Sequence, residues 1–319
     1  MSAPRPVTLL NRIEAAGFRL ARGFLRLFPP KRRSAIAGWA GRVIGARLPF
    51  TARAETALKE LRPQLDATGR KRLIAAMMDN FTRTAVEYEH LPDLYADAPN
   101  WTVEGVEHLT AAQEGGRGYV LASAHFGNWE AVRAAAALHG APMAIIYRAF
   151  NNRLIDEAWY EFIVSGGSPA FRKGSEGARG LFKHVRKGGG AMILVDQRQG
   201  GGPLLDFLGR PAETSTSAAQ LARTLRAPLL TARAIRTADG FSVRFEPEIP
   251  RGAPDQMTQV VNDRIAGWVE EAPEQWFWLH RRWKIRSKGS RKRKFDSAAE
   301  AAEGEQKGDA PSEIRAAGD

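Results

Sequence analysis

From about residue 101 the chain alternates short apolar runs with longer stretches of helical periodicity, and this alternation restricts the fold more than any other feature. Strand-like runs occupy 118–124, 143–148, 191–195, 229–235 and 241–246. Helical periodicity occupies about 129–138, 151–164, 175–187, 215–226 and 257–271. Such a pattern predicts an α/β fold, a mostly parallel sheet flanked by helices. Asp239-Gly240 between the last two runs is a hairpin signal, so the sheet is expected to be mixed. Residues 51–96 read as helices with ordinary mixed surfaces.

One strand-to-helix corner concentrates the chemistry. Tyr119-Val-Leu-Ala-Ser-Ala runs into His125, Gly127 and Asn128 turn the chain, and a helix opens with Glu130 in its first turn. With His125 just before the helix, the Glu130 carboxylate is placed to accept the imidazole Nδ1 proton and leave Nε2 free as a base. Asn128 suits the N-cap, and the helix N-terminus offers N–H groups to a carboxylate, phosphate or oxyanion. The alternative is a buried histidine satisfied by its neighbours.

Other chemistries find less support. Without cysteines there is no thiol catalysis, disulfide or cysteine metal site. HExxH is absent, and His90, His108, His139, His184 and His280 show no ligand spacing, so no metal is expected. No GxSxG elbow is present, and Ser123 reads as a small strand residue. Neither a GxGxxG following a strand nor a Walker A string occurs, so no nucleotide cofactor is expected, and Gly200-Gly201-Gly202 reads as a loop.

Charge is concentrated at the ends. The net charge is +12; residues 1–50 carry ten Lys/Arg against Glu14 alone, and residues 280–294 carry nine Lys/Arg and no acid. Basic ends attract an anionic surface. At 100° per residue, Leu9, Leu10, Ile13, Leu20, Phe24, Leu27 and Phe28 share a sector of roughly 180–280°, with Arg12, Arg19, Arg22 and Arg26 at roughly 40–140°. Phe18 and Leu25 break the pattern. The segment reads either as a helix in a membrane interface or as one packed on its own domain. Pro29-Pro30 ends it, and a second short amphipathic piece spans 34–46. Arg42 and Arg47 interrupt the best N-terminal apolar stretch, so neither a membrane-spanning helix nor a cleavable signal peptide is expected. The expected organisation is 1–50 amphipathic and membrane-associating, 51–285 the main domain, and 286–319 a disordered tail, first basic and then rich in Ala, Glu and Gly.

His125-Phe-Gly-Asn-Trp-Glu130 resembles the signature of the lipid A biosynthesis (late) acyltransferases, the lauroyl/myristoyl transferase family, which also includes bacterial phosphatidylinositol mannoside acyltransferases. Further blocks are similar in order and spacing. Residues 103–109 look like the family's lead-in strand, Ile146-Tyr147-Arg148 its second block and Leu194-Val195-Asp196-Gln197 its third. Residues 207–214 resemble its FFG…T block with Leu208 where Phe is common, and 273–284 its C-terminal block.

The resemblance implies a glycerolipid-acyltransferase-like fold and acyl transfer to a lipid hydroxyl, without a cofactor because the thioester donor is already activated. His125 would be the general base and Glu130 its partner. Arg148, Asn128, Asp196 and Gln197 are the candidates for stabilising the oxyanion or binding substrate. Implied partners are acyl carrier protein (or acyl-CoA) as donor, a lipid A precursor or another glycolipid or lysophospholipid as acceptor, and an anionic membrane surface. The implied location is the cytoplasmic face of the bacterial inner membrane. Nucleic acid is not an expected partner; the basic run reads as a solvated or membrane-facing tail. Family members commonly carry a spanning N-terminal helix, and this chain departs from them there.

Overall fold

The computed structural model describes residues 7–283, so the expected tail lies outside the described residues. Helix α1 (Leu9–Leu25) begins with a capping box. Thr8 Oγ1 accepts the Asn11 N–H at 3.2 Å, and Asn11 Oδ1 accepts the Thr8 N–H at 3.0 Å. Pro29 is extended and Pro30 opens α2 (Pro30–Val43), in the first turn, where a missing N–H costs no intrahelical bond. Helices α3 (Ala52–Leu61), α4 (Ala67–Glu87) and α5 (Leu91–Asp97) follow. Helix α2 packs closely on α4 because Gly41 has no side chain; a Cβ there would meet Met78 O at 2.4 Å.

The α/β portion runs β1 (Thr102–Glu104), α6 (Val106–Glu114), β2 (Tyr119–Ser123), α7 (Trp129–Leu138), β3 (Met143–Tyr147), α8 (Arg153–Ser165), β4 (Ala170–Arg172), α9 (Ser175–Arg186) and β5 (Gly190–Leu194). A hairpin of β6 (Leu204–Phe207) and β7 (Arg210–Glu213) leads to α10 (Ser217–Leu225), β8 (Leu229–Arg236), β9 (Phe241–Phe245) and α11 (Pro254–Glu271). Seven strands form one sheet in the order β1-β9-β8-β2-β5-β3-β4. Its pairs are parallel except β8 with β9, which are antiparallel around the Asp239-Gly240 turn. The expected α/β fold with a mixed, mostly parallel sheet is the one observed.

The sheet divides the core. Val120 and Ala122 of β2 face one cluster, which holds Leu229, Val261, Trp268 and Trp276; Tyr119 and Leu121 face the other, with Val132, Met143 and Val243. All five β2 residues are buried, which explains a nearly unbroken apolar run rather than an alternating one. The lead-in strand is shorter than expected: only 102–104 are strand, because Gly105 at φ +71° turns the chain into α6. Strand β4 is too short to show periodicity, and the β6–β7 hairpin, with Pro211 in it, lacks the β-branched run that marks a strand.

Candidate active site

The site forms at the carboxyl ends of two neighbouring strands, where open α/β sheets place their ligands. β2 and β5 are parallel with Ser123 opposite Leu194, and the Val195 N–H donates to Ser123 O at 3.0 Å. Two residues further along each chain, His125 and Asp196 meet. His125 Nδ1 lies 2.8 Å from Asp196 Oδ1, and the His125 N–H donates to Asp196 Oδ2 at 3.0 Å. Trp276 Nε1 donates to the same Oδ2 at 2.9 Å. Burial alone would raise the Asp196 carboxyl, but the charge and hydrogen bond of His125, with His280 and the Trp276 N–H, hold it below the ordinary carboxylate range. Asp196 is therefore a buried carboxylate, the form that accepts an imidazole proton.

An Nδ1–H directed at Asp196 leaves the lone pair on Nε2. Gln197 Nε2 lies 3.3 Å from that atom, so its amide faces the base. The His125 side chain is 19% exposed and reachable. Trp129, Phe277 and His280 surround its ring, with centroids at 5.1, 6.4 and 4.9 Å. Gly127 makes the corner possible: φ is +54°, and a Cβ would lie 1.7 Å from Ala234 O. The segment after α11 clamps the corner, with the Gly127 N–H on Gln275 O at 2.8 Å and the Phe277 N–H on His125 O at 3.0 Å.

Glu130 does not hold the imidazole. It is 1% exposed, and its oxygens accept from Tyr88 Oη at 2.8 Å and Arg133 Nη1 at 2.6 Å. Trp129 Nε1 donates to the Tyr88 hydroxyl. Burial, and then the adjacent Glu130 charge, push the Tyr88 phenol well up, so it remains a donor. Glu130 thus fixes the first turn of α7 from inside, and Trp129 carries that order to the His125 ring. Five residues of spacing fit a strand-end His and a first-turn Glu, but the capped helix turns Glu130 into the core.

Asn128 caps α7 as expected, its Oδ1 accepting the Glu130 N–H at 2.9 Å. Its Nδ2 donates to Glu87 Oε2 at 2.7 Å, so both polar ends of this fully buried side chain are engaged within the fold. Glu87 also takes Ser34 Oγ at 2.7 Å and both Arg236 terminal nitrogens at 2.7 Å. Burial raises the Glu87 carboxyl, yet Arg236 and these donors outweigh it and lower it. Arg148 is exposed just past β3 and, among the described residues, makes no side-chain hydrogen bond or ion pair. Ser123 Oγ is spent on Ala232 O at 2.8 Å.

Sequence spacing separated His280 from His125, but the fold joins them. Ligand-capable atoms of His125, Asp196 and His280 all lie within 4.8 Å of one another. A cation there would compete with the three N–H donors on Asp196. Burial, then the neighbouring His125, lower the His280 imidazole to about 4, so it is neutral at pH 7. Tyr88, Arg133, Glu87, Arg236 and the Trp276 N–H were not singled out from sequence. Only Glu130 and Arg133, at i,i+3, carried a readable spacing signal. A small space against His125, lined by Phe81, Trp129 and Phe277, shares Asn80 and Gln275 with a cleft of about 1120 Å³ between α2, α4, α5 and the β8–β9 turn.

Most of the chain is similar to known proteins. The family model described as bacterial lipid A biosynthesis acyltransferase matches residues 17–285. The lipid A biosynthesis palmitoleoyltransferase of Escherichia coli (strain K12) is 30% identical over 266 residues, 78% of this chain and 85% of that protein. The lipid A biosynthesis lauroyltransferase of the same organism is 31% identical over 202 residues, 59% and 64% of the two chains. The phosphatidylinositol mannoside acyltransferase of Mycolicibacterium smegmatis is 26% identical over 185 residues, 56% and 60%.

Proposed function

The chain belongs to the bacterial lipid A biosynthesis acyltransferase family, and from that premise we propose that it moves a fatty acyl chain from acyl–acyl carrier protein to a hydroxyl of a lipid A precursor, with His125 as general base. Its class is O-acyltransferase, and its acceptor is lipid A or a related glycolipid. The single observation that supports the chemistry is the 2.8 Å contact between His125 Nδ1 and the Asp196 carboxylate, which leaves Nε2 to act as the base.

In this reading His125 Nε2 takes the proton of the acceptor hydroxyl as its oxygen attacks the thioester carbonyl. The C–O bond forms and the carbonyl electrons move to oxygen. Asp196 stabilises the imidazolium through Nδ1–H. Gln197 and Arg148 are the candidate donors to the oxyanion; Asn128 is not, since its side chain is engaged in the fold. The intermediate collapses with loss of the thiolate, which recovers the proton from His125. Glu130 acts as a positioning residue through Tyr88, Trp129 and Arg133. In this reading the site works at the cytoplasmic face of the inner membrane; among the described residues no helix is long and apolar enough to cross a bilayer.

The test is acyl transfer by the purified chain in detergent, offering acyl–acyl carrier proteins and acyl-CoA against a lipid A precursor, a phosphatidylinositol mannoside and a lysophospholipid. Acylation of the lipid A precursor from the carrier protein supports the reading. Acylation of the phosphatidylinositol mannoside alone moves the acceptor to the class named for the Mycolicibacterium relative.

A further inference from the structure

Helix α1 is docked in an unusual sense. Its residues turned toward the domain are Asn11, Ala15, Phe18, Arg22 and Leu25, all buried or half-buried. Asn152 Nδ2 donates to Asn11 O at 2.8 Å and to Glu14 Oε2 at 2.9 Å, where α8 begins. Arg22 reaches Glu89 at 3.0 Å and stacks over Phe162, 4.5 Å from its centroid. Phe18 and Leu25, the two residues that broke the amphipathic pattern, belong to this docking face. The regular apolar stripe faces away from the domain: Leu9 is 74% exposed, Leu20 75%, Phe24 55% and Leu27 78%.

A helix packed on its own domain for stability would bury that stripe and solvate its arginines. Here Arg22 is half-buried against Glu89 and Phe162, and the leucines of the stripe are bare. Arg12, Arg19 and Arg26 are exposed along one flank of the stripe, and Lys31 and Arg32 follow it. We propose that α1 is an in-plane lipid anchor, held to the domain by its narrow face, with its apolar stripe buried among the acyl chains of an anionic bilayer. The proposal rests on the reading that the acceptor is a membrane lipid, and adds how the enzyme sits on that surface.

Charge selects this occupant. The flanking arginines sit at headgroup depth when the stripe is immersed, where anionic phosphates neutralise them. A second copy would bring the same cationic flank against its own kind. An acidic carrier protein would pair with the arginines and leave the leucines and phenylalanine in water. Placement also fits: Pro29, Pro30 and Lys31, immediately after the anchor, line the large cleft, so that cleft meets the lipid surface.

The experiment is flotation of the full chain with vesicles of phosphatidylglycerol and phosphatidylethanolamine, comparing wild type with a Leu20→Asn, Phe24→Asn, Leu27→Asn variant. All three sites are exposed, so the thermal midpoint should not move. The anchor requires wild type to float and the variant to lose about tenfold or more of its partitioning. Equal flotation of the two overturns the proposal. So does a wild-type dimer that the variant converts to monomer, which would make a second copy the occupant. Flotation is read without the reaction, so failure to acylate a lipid A precursor would overturn the acceptor reading and leave the anchor standing.

Discussion

His125 Nδ1 and Asp196 Oδ1 lie 2.8 Å apart although 71 residues separate them in sequence, because each ends one of two adjacent parallel strands in matching register. The pairing separates orientation from helix geometry: the sheet, not α7, aims the base. An Asp196→Asn variant keeps the shape but presents an amide that accepts less well from the imidazole and from Trp276. Its kcat should fall by about 10²–10⁴ with KM little changed. Steady-state kinetics on the folded variant checks this, and a kcat within about twofold of wild type would remove Asp196 from the mechanism.

Glu130 tests the other carboxylate. Glu130→Leu strands the Arg133 guanidinium in the core and should cost about 3–5 kcal/mol of stability. The Glu130→Leu, Arg133→Met double variant should regain most of that loss in denaturant unfolding, since no unpaired charge remains. Recovered stability with persistently low activity marks Glu130 as a positioning residue. No recovery would mean that the pair is not what makes Glu130 necessary to the fold.

His280 gives a pH signature. Burial and the neighbouring His125 lower its native imidazole to about 4, from an ordinary value of 6.5. Between those values the unfolded chain binds the extra proton and the native chain does not, so this group lowers stability as pH falls from 6.5 toward 4. Because His280 is partly exposed, the expected size is about 1–2 kcal/mol. Urea unfolding of wild type and His280→Gln at pH 7.0 and 4.5 should show the smaller acid loss in the variant. Parallel losses would show that His280 is not held neutral.

Gly127→Ala probes the corner itself. A methyl there would collide with Ala234 O at 1.7 Å from a backbone at φ +54°. Moving the corner displaces His125 from β5, so the variant should lose about 2–4 kcal/mol and nearly all activity. A stable, active Gly127→Ala enzyme would mean that the corner tolerates another path.

The regular elements were legible because their periodicities are strong: β2, α7, β3, α9 and β8 sit within a residue or two of expectation. His125 was legible as well, ending an apolar strand before a turn. Its partner was not, because strand order decides which carboxylate neighbours β2, and no local pattern states that β5 lies beside it. Glu130 misled through short sequence distance; Asn128 caps the helix so that Glu130 faces Tyr88 and Arg133 instead. His280 was hidden in the same way, brought to the corner by the strand-like bridge between Phe126 and Trp276. In α1 the stripe and its membrane reading were legible, but the contacts that hold the stripe outward were not, since they come from Asn152, Glu89 and Phe162.

The most direct test of the account is the rate of acyl transfer to a lipid A precursor from acyl–acyl carrier protein by wild type and by His125→Ala, each shown to be folded by its thermal midpoint. With His125 as the base, wild type forms product and His125→Ala falls by about 10³-fold or more at equal stability. Product formation by His125→Ala at a rate near that of wild type would contradict the account.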